Sequence, residues 1–212
     1  VLCAAEALSA CRDDGFCRDS LIETACREAL LWHRAEAFAG AAVRIVVTLS
    51  PIANGAASLA ARVGRVLAQT GLPAALLEAV LSETDLETDG PELPLLVSAL
   101  RDLGAGVALG STTGTPNGLR ILRRLPLTSV RLAPALVAGI ETSAQARSLA
   151  LEAIATAHAT GAITVALGVE TAMQRDILAD LQCDEAQGPL FGADLAAAVF
   201  TAALTHAADP SS

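Results

Sequence analysis

Few residues in this chain have the type and spacing that chemistry needs. Glu83 and Glu170 are the carboxylates best placed to hold a hard cation, since Mg²⁺ and Mn²⁺ take oxygen ligands. Each lies just beyond a predicted strand, where capping of the following helix or pairing with an arginine is the preferred reading. Proton transfer near neutrality asks for His, Glu or Asp. His33, His158 and His206 all fall on predicted helices, away from strand ends, and read as surface or packing residues. Residues 107–118, VALGSTTGTPNG, look like a strand entering a loop of glycine and small hydroxyl residues, the composition of a phosphate cradle. No G-x-G-x-x-G, G-K-[ST], G-x-S-x-G, H-E-x-x-H or Cys–His motif accompanies it.

Composition narrows the classes further. The net charge of −9 argues against a nucleic-acid polymer as partner. All fourteen basic residues are Arg, so no step requiring a lysine can run here. The five cysteines, Cys3, Cys11, Cys17, Cys26 and Cys183, contain no C-x-x-C pair and read as reduced, buried thiols of a cytoplasmic protein, with no metal implied. No apolar run reaches the ~18–20 residues that span a bilayer. Residues 1–8 lack the basic flank of a signal peptide.

The elements that would position these residues alternate. Predicted strands are 44–49, 76–82, 107–109, 129–133, 163–167 and 185–187, each followed by a predicted helix: 56–71, 91–104, 118–126, 142–160, 172–181 and 193–204. Residues 18–38 read as one long helix or two short ones. Strands alternating with helices imply a parallel sheet of βαβ units, as an open doubly wound sheet or as a barrel missing two strands. Either way ligands bind at the C-terminal strand ends. Those positions hold Thr48 and Ser50, Val80 to Glu83, Gly110 to Thr112, Arg131 and Ala133, Leu167 to Glu170, and Gln187.

Several segments resemble the EAL domain, the cyclic di-GMP phosphodiesterase module of bacterial signalling. LRDLGAGVALGSTTGTPNGLRILRRLPLTSVRLAPALV is similar to that family's block around DDFGTG and LKID. ITVALGVETAMQRDILADLQCDEAQGPLFGADL is similar to its AEGVET and CDxxQGYLF block. TACREALLWH, VVTLSP and RVGRVLAQTGLP resemble earlier elements in order. The likeness covers residues 12–204 of what reads as one domain, 1–212. It implies a modified TIM (β/α)8 barrel with one strand reversed, its first two strands lacking or altered here. The letters Glu6-Ala7-Leu8 stand too close to RDDGF, so the preferred reading is coincidence; the other is a true motif with the following loop deleted.

Carried over by position, the resemblance puts Thr48, Val80, Gly110, Ser111 and Leu167 where the family has metal-binding or metal-centre side chains, and Arg131 where it has a lysine. Ala133 replaces an aspartate. Glu83, Glu170 and Gln187 are retained. Two-metal hydrolysis needs carboxylates to hold the ions and acidify water, so the expectation is an inactive domain with no cofactor. Three functions are weighed in order: a regulatory module that binds another protein, a cyclic di-GMP receptor without hydrolysis, and an active phosphodiesterase. The receptor would use Thr48, Ser111, Arg131 and Gln187, but Pro116 and Pro189 replace two of the family's tyrosines. The altered DDFGTG loop leaves a homodimer open. Arg123 and Arg124 sit at a helix C-terminus, where cations are favoured, and read as structural.

Overall fold

A computed structural model describes residues 5–7, 15–34, 44–49, 56–84 and 92–192. Seven strands form one sheet whose spatial order is the chain order, and all six pairings are parallel. They are β1 (Ala5–Ala7), β2 (Ile45–Leu49), β3 (Leu77–Ser82), β4 (Gly106–Thr112), β5 (Ser129–Leu132), β6 (Ile163–Leu167) and β7 (Glu185–Gln187). The helices are α1 (Gly15–Arg34), α2 (Ala56–Thr70), α3 (Glu92–Asp102), α4 (Pro116–Arg124), α5 (Pro134–Gly139), α6 (Ala144–Ala159) and α7 (Ala172–Asp180).

All six predicted strands are present, and of the helix predicted at 18–38 the part to Arg34 lies in the single α1, with 35–38 outside the described residues. The predicted helix at 193–204 lies outside the described residues. The structure adds two elements. One is α5, which starts at Pro134; the missing N–H of a proline costs nothing in a first helical turn. The other is β1. Ala5, Glu6 and Ala7 pair in register with Ile45, Val46 and Val47. Glu6 and Ala7 of the Glu6-Ala7-Leu8 letters thus occupy a strand beside β2, while Leu8 lies outside the described residues.

Local chemistry accounts for the boundaries. In α3, Leu93, Leu96, Val97 and Leu100 recur at helical spacing and are buried. The helix stops at Gly104, whose φ of 88° suits a residue without Cβ, and Ala105 N–H closes on the Leu100 carbonyl at 3.1 Å. In α4, the Thr115 side chain accepts from Gly118 N–H, and Pro116 opens the first turn. Thr171 and Gln174 form a reciprocal capping box at the start of α7.

The sheet is curled. Side chains five strands apart meet: Arg44, next to β2, lies 2.5 Å from Glu185 of β7. A flat sheet would separate those strands by ~24 Å. Two apolar regions result. The large one lies between sheet and helices, and a small one inside the curl comprises Val46, Val80 and Ala108. Burial on both faces explains why the strands read as continuous apolar runs.

Candidate functional site

The strand ends form the expected mouth, with a mixed lining. Thr48 is opposite Val80, Ser82 opposite Gly110, and Leu167 opposite Gln187. Thr48 is exposed, and Gln187 and Leu167 are half-buried. Gly110 is buried, and a Cβ built on it would stand 2.7 Å from Val80 Cγ1. A methyl group of Val80 therefore fills the space into which a side chain at 110 would project. The next residue, Ser111, is exposed and has φ 51°, where the β4–β5 register shifts. The left-handed backbone costs a serine ~1–2 kcal/mol, so the loop geometry is held by its surroundings.

Those surroundings include Glu83. Its carboxylate accepts from the Thr115 hydroxyl, the same hydroxyl that accepts from Gly118 N–H at 3.0 Å. A Cβ at Gly118 would stand 3.1 and 3.2 Å from the two carboxylate oxygens. Gly114 rests on α6, where a Cβ would meet the Leu149 carbonyl at 2.9 Å. Glu83 thus joins the end of β3 to the 111–118 loop and the start of α4. Glu170 is exposed, directly before the Thr171 cap, and its backbone N–H donates to Gln174 Oε1 at 2.8 Å. The structure keeps these two carboxylates in separate roles.

Arg131 is only 2% exposed. One terminal nitrogen donates to Gln187 Oε1 at 3.1 Å. The other lies 3.6 Å from Glu78 Oε2, an ionic contact longer than a hydrogen bond. Glu78 also accepts from Ser129 Oγ at 2.8 Å and lies 3.9 Å from Arg44, which continues to Glu185. A chain of alternating charges therefore crosses the interior from β7 through Arg44, Glu78 and Arg131 back to β7. Sequence reasoning found Arg131 and Gln187 but missed Glu78, Arg44 and Glu185. Glu78 carried a signal: a carboxylate in the apolar run LLEAVL of a doubly covered strand must find a cation.

At the opposite ends of the strands, Asp184 Oδ2 accepts from Thr164 N–H at 2.7 Å and Thr164 Oγ1 at 2.8 Å, and His158 Nε2 lies 2.8 Å away. Burial opposes ionisation of Asp184, but the hydrogen bonds from His158 and Thr164 outweigh it and lower the pKa. His158 thus has a packing role, as its helical position implied. Burial pushes the Cys26 thiol up to about 11, which leaves it unreactive. Among the described residues, no group of three or more His, Cys, Asp or Glu is placed to hold a metal ion. No helix among them is long and apolar enough to cross a membrane.

The turn after β7 carries the most sequence-specific feature. Gly188, in the run CDEAQGPLF, has φ 153°, and a Cβ there would stand 2.3 Å from Val169 N. Val169, in GVET, donates to the Gln187 carbonyl and accepts from Leu190 N–H, both at 3.0 Å. The two stretches with the strongest family likeness are thus laced together by backbone, and only glycine fits between them. Consistently, the sequence profile of the EAL domain matches residues 17–194.

The chain belongs to the EAL domain family. Among curated EAL relatives, the cyclic di-GMP phosphodiesterase NbdA of Pseudomonas aeruginosa is 31% identical over 177 residues, 84% of this chain and 22% of NbdA. The cyclic di-GMP phosphodiesterase RocR of the same organism is 28% identical over 82% of this chain and 44% of its own length. The chain thus spans less than half of either relative. The crystal structure of the EAL domain of Mycobacterium smegmatis DcpA superposes with a TM-score of 0.84 at 24% identity, over 98% of this chain and 92% of that one. At that identity the likeness concerns the fold, and it supports the barrel wall described above.

Proposed function

We propose that this EAL domain does not hydrolyse cyclic di-GMP and acts in bacterial signalling by binding another protein. The observation that carries the reading is the Val80–Gly110 contact. The resemblance puts metal carboxylates at both positions, and here a Cβ built at 110 would stand 2.7 Å from a methyl group of Val80, which would have to shift to admit a side chain. Two-metal hydrolysis needs anionic ligands to hold the ions and generate hydroxide. Val80, Gly110 and Leu167 offer none, and Thr48 and Ser111 offer neutral hydroxyls. A guanidinium does not replace a lysine amine in activating water, and Arg131 is engaged by Glu78 and Gln187. A barrel wall retained around a mouth without carboxylates at 80, 110 and 167 suits selection on surface contacts. The test is turnover of cyclic di-GMP by the pure protein with Mg²⁺ or Mn²⁺. No product is expected; product formation that disappears with a chelator would refute the reading.

A second reading is a cyclic di-GMP receptor without hydrolysis. Exposed Thr48 and Ser111 and half-buried Gln187 at the mouth favour it. The engagement of Arg131 weighs against it, because a phosphate would have to compete with Glu78. Calorimetry separates the two. Micromolar affinity weakened by Ser111→Ala and Thr48→Ala supports the receptor, and absence of heat together with an unchanged melting temperature supports the protein-binding module.

A further inference from the structure

A hollow of about 460 Å³ opens between the loop at 113–116 and helices α5 and α6. It is separate from the mouth, since none of Thr48, Val80, Ser111 or Gln187 lines it. Its apolar lining comes from Leu136, which is buried, Ala146 and Leu149, which are half-buried, and Pro116 and Ala135, which are exposed. Its polar lining is Thr113, Thr115, Ser143 and Gln145, so no charged side chain faces it. The fold itself sets these walls. Gly114 is pressed against α6, where a Cβ would meet the Leu149 carbonyl at 2.9 Å. Ser143 caps α6 by accepting from Ala146 N–H at 3.1 Å, and Thr115 caps α4. A preformed, mostly apolar concavity of ~300–1,000 Å³ with a few polar groups is the usual form of a binding pocket.

We infer that this hollow seats an aromatic side chain of a protein partner, flanked by neutral residues. The inference rests on the protein-binding reading above and names the partner's anchor. Size and charge select it. An aliphatic side chain leaves much of the volume unfilled, whereas an aromatic ring is the largest apolar group a protein inserts, and the polar tip of Tyr or Trp meets hydroxyls and an amide here. An anionic ligand such as a nucleotide or a fatty acid finds no cation in the lining. The chain does not bring the ring itself. It has no Tyr, its one Trp is buried, and the resemblance has a tyrosine at 116 where Pro116 lines the hollow. The exposed large apolar side chains of the described residues are Leu31, Leu95, Leu103, Leu151 and Met173, so a second copy offers no exposed ring among them.

The test titrates N-acetyltyrosinamide and N-acetyltryptophanamide, beside N-acetylleucinamide, into methyl-labelled protein and follows the leucine methyl resonances by NMR. The expected result is saturable millimolar binding of the aromatic amides that shifts Leu136 and Leu149, with the leucine amide weaker by ~5-fold or more. Ala135→Trp, which fills the hollow from an exposed wall, should abolish the shifts, and Pro116→Tyr should weaken them. Ala138→Trp, exposed on the same helix but outside the hollow, should bind as wild type does. Melting temperatures show that each variant is folded. The inference is overturned if the aromatic amides leave these methyls unmoved, if the leucine amide binds as tightly, or if Ala135→Trp and Pro116→Tyr bind as wild type does. It is also overturned if the amides bind only after Phe200→Ala, which would make the occupant this chain's own, or if wild type self-associates and Ala135→Trp disperses it. Cyclic di-GMP turnover, measured alongside, reports failure of the broader reading separately.

Discussion

Single residues decide how tightly the mouth is built. Gly188→Ala would push a methyl into Val169 N–H and its carbonyl and break the lacing between β6 and β7. A loss of at least ~2 kcal/mol is expected, read as a lower urea midpoint at unchanged slope. The sequence carried this glycine within its best motif, but not the reason for it, since a clash with a residue 19 positions away exists only once the chain folds. Glu83 illustrates the same limit. Its type and place were legible as a carboxylate beyond a strand, and both a metal role and a cap were open. The fold resolves its contact by bringing Thr115 to it.

Elements were legible where periodicity was strong and ends were marked. Helix α3 came from its apolar repeat, and β3 from its place in the alternation even though its letters favour helix. The misses were α5, six residues with too little repeat to register, and β1, three residues whose pairing depends wholly on β2. One join between elements has a pH signature. Asp184 fastens the start of β6 to β7 and to the end of α6. Its pKa is lowered in the fold, so the stabilisation is present above the ordinary carboxylate pKa and is lost as pH falls through the folded value. Asp184→Asn should cost about 1 kcal/mol at neutral pH. The gap to wild type should close as pH drops below ~4, which denaturation at a series of pH values would reveal.

At the scale of the whole molecule, the interior is held by charge as well as by apolar packing. Glu78 stands between Arg44 and Arg131 with 1% exposure, so removing it takes a buried carboxylate away from Arg131, while Arg44 keeps Glu185. Glu78→Ala is expected to cost ~3–5 kcal/mol. Adding Arg131→Met should recover part of that loss, because the uncompensated charge goes with it. Equilibrium unfolding of the single and double variants measures the coupling. The chain of charges escaped the sequence because its members are scattered from position 44 to position 187, and no local pattern ties them. The alternation of strands and helices, by contrast, was sufficient for a parallel sheet of βαβ units, and the family likeness chose the barrel over the open sheet.

The contact between Val80 and Gly110 also ties the two positions together. An aspartate introduced at 110 would arrive with its Cβ 2.7 Å from a valine methyl, so Val80 would have to shift to admit it. Trimming position 80 would make that room, but by itself it thins the small interior cluster with Val46 and Ala108. What one position holds thus limits what the other can take, although 30 residues of chain separate them.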